Sequence, residues 1–468
     1  MKRILFFLLF VIALWQTASI TGCANIIPPE GGPRDSLPPR LLEASPLDST
    51  RNFTGSRITF TFDEFVEVSN VSENLLVSPL PGNNPVVDYK LKTVTVRLRD
   101  TLEANTTYTF NFGSAIKDFT EGNPLKNFTY TFSTGSYIDS LQLSGRVILA
   151  ETGRIDTTLI VMLHTSGNDS ALFTQKPRYI TKLDSKGQFT FTNLPPRTFY
   201  LYALKDNGGT KLYIDNRSLF AFADKPVSPK DKNDSIVLYA YAKPEPQQVT
   251  IPVLSGPRGR PNTPDKRLRY QTNLSDGMQD LLSPFTMQFD QPLRQFDTAR
   301  ISLYSDSAFN KPAAYRFTRD STRKKIVLQT EWKENTLYHI IMDKDFAEDS
   351  SGKKLLKTDT LSFTTRKKSD YGILKLKLRN IDFTKNPVLI FTGGNNIMLS
   401  FPLTGPDFYL PMMLPIEYEL RILYDTNKNG VWDPGQFYGK RIQPEIGKPF
   451  DRKLNIKAGW TNEFELAL

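Results

Sequence analysis

The chain repeats itself, and the repeat limits what it can fold into more than any other feature. Phe62-Asp63 recurs as Phe289-Asp290, and Asn105-Thr106-Thr107-Tyr108 as Asn335-Thr336-Leu337-Tyr338. Asp118 and Gly122 recur as Asp349 and Gly352, and Thr131-Phe132-Ser133-Thr134 as Ser362-Phe363-Thr364-Thr365. A second set interleaves with the first. Phe189, Leu194-Pro195, Phe199, Leu201 and Asp206 match Phe408, Leu414-Pro415, Tyr418, Leu420 and Asp425. Matching anchors in the same order make two copies of a two-part unit, A-B-A′-B′.

The anchors sit in short runs with a period of two. Ile58-Thr59-Phe60-Thr61-Phe62 and Thr93-Val94-Thr95-Val96-Arg97-Leu98-Arg99 are two of them. Alternation puts every second side chain on one face of a strand, and turn clusters such as Pro81-Gly82-Asn83-Asn84 separate the runs. The expected fold class is all-β, as tandem antiparallel β-sandwiches. The 32 Phe and 19 Tyr suffice for several small cores, and the 32 Pro and 27 Gly supply turns rather than helix interiors. The expected boundaries are 40–135 for A, 136–242 for B, a Pro- and Gly-rich linker at 243–264, 265–366 for A′ and 367–468 for B′.

At these residues the chain resembles known families. The A units are similar to the bacterial Ig-like domain first described in S-layer proteins. Its marks are the apolar-Phe-Asp strand end, the Asn-Thr-x-Tyr strand, the Asp-x-x-Gly turn and the closing Thr-Phe-x-Thr strand. The B units are similar to transthyretin-like or carboxypeptidase-regulatory-like sandwiches, through Phe-x-Phe-x-x-Leu-Pro-x-x-x-Tyr. The resemblance implies non-catalytic spacers or binding modules on a cell surface.

The N-terminus gives the location. Basic Lys2 and Arg3 precede an apolar run from Ile4 to about Trp15, then small residues, which is the order of a secretory signal. That run is shorter than the ~20 residues a spanning helix needs. Ile20-Thr21-Gly22-Cys23 resembles a bacterial lipoprotein signal, which implies cleavage after residue 22 and lipid on Cys23, the chain's one cysteine. Residues 23–39, rich in Pro and Gly, read as a tether. Ala24 is not the Asp that retains such proteins in the inner membrane, so an outer-membrane lipoprotein facing periplasm or medium is expected. The net charge of +10 falls to +8 without Lys2 and Arg3. Export removes nucleic acid from the expected partners, leaving the membrane and an unidentified protein or glycan.

Little in the sequence points to catalysis. The two histidines, His164 and His339, lie in strand-like runs without metal-ligand spacing, and no Gly-x-Ser-x-Gly elbow is present. A non-catalytic structural or adhesive array is expected, with a glycan- or protein-binding lipoprotein or a cell-envelope hydrolase as alternatives. The candidate for ion chemistry is Asp425-Thr426-Asn427-Lys428-Asn429-Gly430-Val431-Trp432-Asp433. Oxygen ligands from Asp425, Asn427, Asn429, the Val431 carbonyl and Asp433, with Gly430 sixth, follow a calcium loop, but position twelve is Gln436 rather than Glu. Two carboxylates imply weak Ca2+ affinity, and an Asn-rich turn explains the same residues. No other cofactor is expected. Trp432 and Tyr438, with Tyr409 and Phe437, are the expected contact residues of an aromatic platform. Finally, Asp-Ser or Asp-Thr before a small or aliphatic residue recurs, as in Asp35-Ser36-Leu37 and Asp169-Ser170-Ala171. It resembles an O-glycosylation acceptor of one group of diderm bacteria, and also makes good turns.

Overall fold

A computed structural model describes residues 34–231, 236–243, 267–305, 308, 314–394 and 396–468. Cys23, the expected signal segment and nearly all of the expected linker lie outside the described residues. The chain divides into two compact units. One runs to Gln142 and adds Arg178–Ile180 and Phe191–Arg197; the other comprises the remainder.

The strands fall into four groups. The first holds β1 (Leu41–Ser45), β2 (Arg57–Phe62), β3 (Val66–Val68), β4 (Leu76–Ser78), β5 (Val86–Lys90), β6 (Thr93–Arg97), β7 (Thr107–Asn111), β8 (Ile116–Asp118) and β9 (Thr129–Ser133). The second holds β10 (Leu141–Leu149), β11 (Ile160–His164), β12 (Tyr179–Lys182), β13 (Gln188–Leu194), β14 (Tyr200–Leu204), β15 (Phe220–Phe222) and β16 (Ile236–Ala240). The third holds β17 (Tyr270–Thr272), β18 (Met278–Gln279), β19 (Phe285–Phe289), β20 (Leu293–Phe296), β21 (Ile301–Ser305), β22 (Tyr315–Arg319), β23 (Lys325–Thr330), β24 (Leu337–Met342), β25 (Ala347–Asp349) and β26 (Asp359–Thr365). The fourth holds β27 (Gly372–Arg379), β28 (Pro387–Gly393), β29 (Asn396–Pro402), β30 (Asp407–Met413), β31 (Glu417–Tyr424), β32 (Gly447–Pro449), β33 (Leu454–Asn455) and β34 (Thr461–Ala467).

Strand pairing repeats as the sequence does. The order β1-β2-β6-β5 returns as β17-β19-β23-β22, and the pair β3-β8 as β20-β25. The order β13-β10-β16 returns as β30-β27-β34, and β12-β11-β14-β15 as β29-β28-β31-β32. In both of the latter groups one pair is parallel, β10 with β16 and β27 with β34. The fold is all-β, as the alternation requires. In β2 the side chains of Ile58, Phe60 and Phe62 are buried and their neighbours are not. They pack with Val94, Val96, Phe110, Phe112 and Phe132. The third group builds the same core from Phe285, Met287, Phe289, Ile326, Leu328 and Phe363.

The repeated motifs have local causes. Asn105 and Asn335 both take the left-handed backbone that Asn tolerates, at φ 50° and 49°. The Tyr108 hydroxyl accepts from Glu103 N at 2.9 Å, and that of Tyr338 from Lys333 N at 3.2 Å. Asp118 accepts from the backbone N–H of Glu121, Gly122 and Asn123, and Asp349 from Ser351 and Lys353. Each of these groups ties a turn to its own strand end, so the pattern recurs wherever the turn does.

The connection that follows the Asp206 anchor is long: it runs from Lys205 to Leu219 between β14 and β15, and Tyr213 within it is buried. Its counterpart joins β31 to β32 over residues 425–446. Long connections persist here because their own side chains pack, as those of Ω-loops do.

Candidate functional site

The 425–446 connection gathers the residues singled out in the sequence. Asp425, at the end of β31, is almost fully buried. Its carboxylate accepts from Lys428 N at 2.7 Å and Gly430 N at 2.7 Å. Gly430 takes φ 75°, so the turn needs a residue without a Cβ or one that tolerates the left-handed region. Asn427 Oδ1 accepts from Asn429 N at 3.0 Å, and Asn429 Oδ1 from Val431 N at 2.8 Å. Both side-chain amides donate to Asp433 Oδ2, at 2.6 and 2.8 Å. The Val431 side chain faces solvent. Asp425, Asn427, Asn429 and Asp433 are therefore in one loop, with their oxygens bound to the loop's own N–H groups. Among the described residues no three His, Cys, Asp or Glu side chains converge as a metal site.

A residue the sequence did not single out closes this loop. Glu445 is buried, and its carboxylate accepts from Thr426 N at 2.6 Å, Thr426 Oγ1 at 2.7 Å and Asp433 N at 3.1 Å. Trp432 lies against the same segment, its indole N–H donating to Glu445 O at 2.8 Å. A buried carboxylate with three donors satisfies backbone groups that the turn would otherwise strand. No motif spacing links Glu445 to Asp425, so the pairing had no sequence signal.

The expected aromatic platform is corrected. Trp432 and Phe437 are buried, and Tyr438 is half-buried. Phe437 packs edge-on against Phe220 and Phe222, with ring centroids 5.2 Å apart in each case, and against Tyr202 at 5.7 Å. Tyr438 stacks on Tyr213 at 5.6 Å, and its hydroxyl donates to Tyr213 O at 3.0 Å. Burial pushes the Tyr438 hydroxyl up to about 12. The rings turn inward because apolar area removed from water is worth about 25 cal/mol per Å2, and strands β14 and β15 offer a matching aromatic face. Tyr409 alone of the four stays well exposed, on the outer face of β30.

Polar contacts frame the dock. Arg441 donates through Nε to Asp169 Oδ1 at 3.2 Å and lies over the Phe437 ring at 5.3 Å. The hydrogen bond to Asp169 raises the guanidinium further above its usual range. Gln443 Nε2 donates to Phe222 O at 3.0 Å and Asp224 Oδ1 at 2.7 Å. Buried Arg421 reaches Glu151 at 3.0 Å, and Arg154 pairs with Glu419. Gly447 N donates to Ala150 O at 2.7 Å, and a Cβ on Gly447 would lie 2.1 Å from Glu151 O. The loop of the fourth strand group is thus a plug seated on the second, with a charged margin. Asp169, in one of the Asp-Ser motifs, is engaged here, and Asp35 of another accepts from Leu37 N in a local turn.

Both histidines lie in strands, outside the 425–446 connection. His339 Nδ1 meets Ser362 Oγ at 2.8 Å across β24 and β26. His164 is buried in β11, edge-on to Tyr202 at 5.7 Å, and burial lowers it to about 4.

Comparison with known proteins gives one family match, to the bacterial Ig-like domain, over residues 35–134. That is 100 of 468 residues, and it coincides with the first strand group. No curated protein matches the chain. Among solved structures, the Bacillus anthracis TIE protein is similar at 10% identity, covering 94% of this chain and 75% of that one, with a TM-score of 0.17. The N-terminal part of the bacterial S-layer protein SbsC aligns at 15% identity over 44% of each chain, with a TM-score of 0.16. BcpA, the major pilin subunit of Bacillus cereus, aligns at 7% identity over 70% of this chain and 99% of that one, also at 0.16. At these scores the likenesses carry no argument about function.

Proposed function

We propose that the chain is a cell-envelope lipoprotein whose β-sandwich modules act as a non-catalytic structural or adhesive array. The observation that carries this reading is the plug. Phe437, Tyr438 and Arg441 of the fourth strand group make their ring, hydrogen-bond and ion-pair contacts with the second, which holds two modules together. A stiff pair of modules suits a spacer or a load-bearing element. The second and fourth groups, alike in strand order, are read as transthyretin-like sandwiches, and lipid on Cys23 as the attachment to the outer membrane.

Two measurements test this. Cells expressing the chain are fed labelled fatty acid and fractionated. Wild type should carry label and sediment with the envelope, whereas Cys23→Ser should be unlabelled and released. A Cys23→Ser protein that stays membrane-bound at unchanged mass removes the anchor from the reading. The array is tested on the purified protein by screening ester, glycoside and peptide substrates. Turnover abolished by a single acid or histidine substitution overturns the non-catalytic reading.

Calcium is proposed as a weak accessory ligand of Asp425, Asn427, Asn429, Val431 and Asp433. The loop already closes through its own bonds, and an ion would require both Asn amides to turn their oxygens toward Asp433. Calorimetric titration of the EDTA-treated chain decides it: absence of heat and of a melting shift removes calcium and leaves the array untouched.

A further inference from the structure

The tip of the first Ig-like region carries three large apolar side chains in water. Phe65 is 52% exposed, Leu91 65% and Phe119 65%. Main-chain bonds hold them together: Phe119 N donates to Phe65 O at 2.9 Å, and Val66 N to Leu91 O at 3.0 Å. Leu91 takes φ 56°, a left-handed turn position where Gly or Asn is the ordinary choice. Lys92 lies 5.8 Å over the Phe65 ring and donates to Asp63 O at 2.6 Å.

The third strand group builds the same tip from other residues. Ser350 N donates to Pro292 O at 2.9 Å, Leu293 N to Arg323 O at 2.7 Å, and Lys324 Nζ to Asp290 O at 3.3 Å. Arg323 takes φ 58°. Backbone and lysine are conserved between the two tips, while Phe65, Leu91 and Phe119 are replaced by Pro292, Arg323 and Ser350. The fold therefore does not need the three apolar residues, and only the first tip has them.

That tip is where the N-terminal segment enters. Asn123 Nδ2 donates to Asp35 O at 3.1 Å and Leu37 O at 3.3 Å, which fixes residues 35–37 to the Asp118–Asn123 turn that carries Phe119. Leu37 is itself exposed. Cys23 lies 11 residues before Arg34, a reach of at most about 40 Å.

We propose that Phe65, Leu91 and Phe119 insert into the surface of the lipid bilayer that holds the chain's N-terminus. Their nearness to the bilayer rests on the lipid-anchor reading above. Small apolar protrusions beside an anchor suit an interfacial contact, whereas a stable protein interface needs about 800 Å2 from each partner. Around the tip, Arg34, Arg40 and Lys92 stand against Asp35, Asp63, Glu64, Asp118 and Glu121. That surface offers anionic lipid no basic patch, so the attraction is apolar and acts on zwitterionic lipid.

The test uses residues 23–468 carrying Cys23→Ser, which cannot be acylated. It is floated with vesicles of phosphatidylethanolamine and phosphatidylcholine. Binding is expected, is little changed by salt at about 0.5 M, and falls at least about tenfold when Phe65→Pro, Leu91→Arg and Phe119→Ser install the other tip's residues. Because the sister tip folds with those residues, an unchanged melting temperature is expected; if the triple variant melts lower, Phe119→Ser alone must still weaken flotation. No flotation, or equal flotation of variant and parent, overturns the proposal, as does tip-dependent capture of a protein without any binding to vesicles. Tip-dependent flotation supports it whether or not labelled lipid is found on Cys23, so the two readings fail separately.

Discussion

Glu445 shows how much one side chain can hold. Its carboxylate satisfies three donors at both ends of the Asn ladder, in a position closed to water. Glu445→Ala leaves two backbone N–H groups without an acceptor, and a loss of about 2–4 kcal/mol is expected from urea unfolding. Glu445→Gln keeps one acceptor oxygen and should lose less. Equal midpoints for Ala and wild type would mean the loop closes without it. His164 makes a pH prediction. Its buried ring has a folded value of about 4 against 6.5 unfolded, so between those values the unfolded chain binds more protons. The contribution is complete above about pH 6.5 and is lost as pH falls through about 4, amounting to no more than about 3 kcal/mol. In His164→Leu, the slope of unfolding free energy against pH across that window should flatten by up to one proton. An unchanged slope would assign the window to other groups. Asp425 and Gly430 were legible because turn chemistry is local; Glu445 was not, because only folding brings it to Thr426.

The 425–446 connection behaves as an element although it is not a strand. It is stiffened internally by side-chain bonds and externally by Phe437. Phe437→Ala leaves a void among Tyr202, Phe220 and Phe222 and is expected to destabilise by about 3–5 kcal/mol. The readout is urea unfolding, together with protease cutting within 425–446. A variant as resistant as wild type at an unchanged midpoint would mean that the plug is not seated in solution. Gly447→Ala tests the same dock from its margin, because the added Cβ would press on the Glu151 carbonyl. It should loosen the loop without touching an aromatic ring.

For the whole molecule, the two compact units are expected to set the melting behaviour. Calorimetry of the full chain is expected to resolve two transitions, and Phe437→Ala should lower only the one belonging to the unit that contains both the loop and its seat. A single transition displaced as a whole would reject independent units. The same scale carries the contrast between the equivalent tips of the first and third strand groups. Equal backbones with unequal surfaces mean that repetition fixed the framework, and substitution at three turn positions distinguished its ends.

The sequence by itself determined the all-β class, the repeat of strand anchors and the turn residues, because each rests on contacts within a few residues or on a period of two. It marked Asp425, Asn427, Asn429 and Asp433 as one loop for the same reason. Tertiary structure alone decided which way the aromatic residues faced. Alternation tells that a ring is apolar and in a loop, but not whether another module offers a surface to cover it. Phe220, Phe222 and Tyr213, some two hundred residues earlier, do so. Hence Trp432, Phe437 and Tyr438 are packing, whereas Phe65, Leu91 and Phe119, which no sequence pattern singled out, are among the apolar residues left in water.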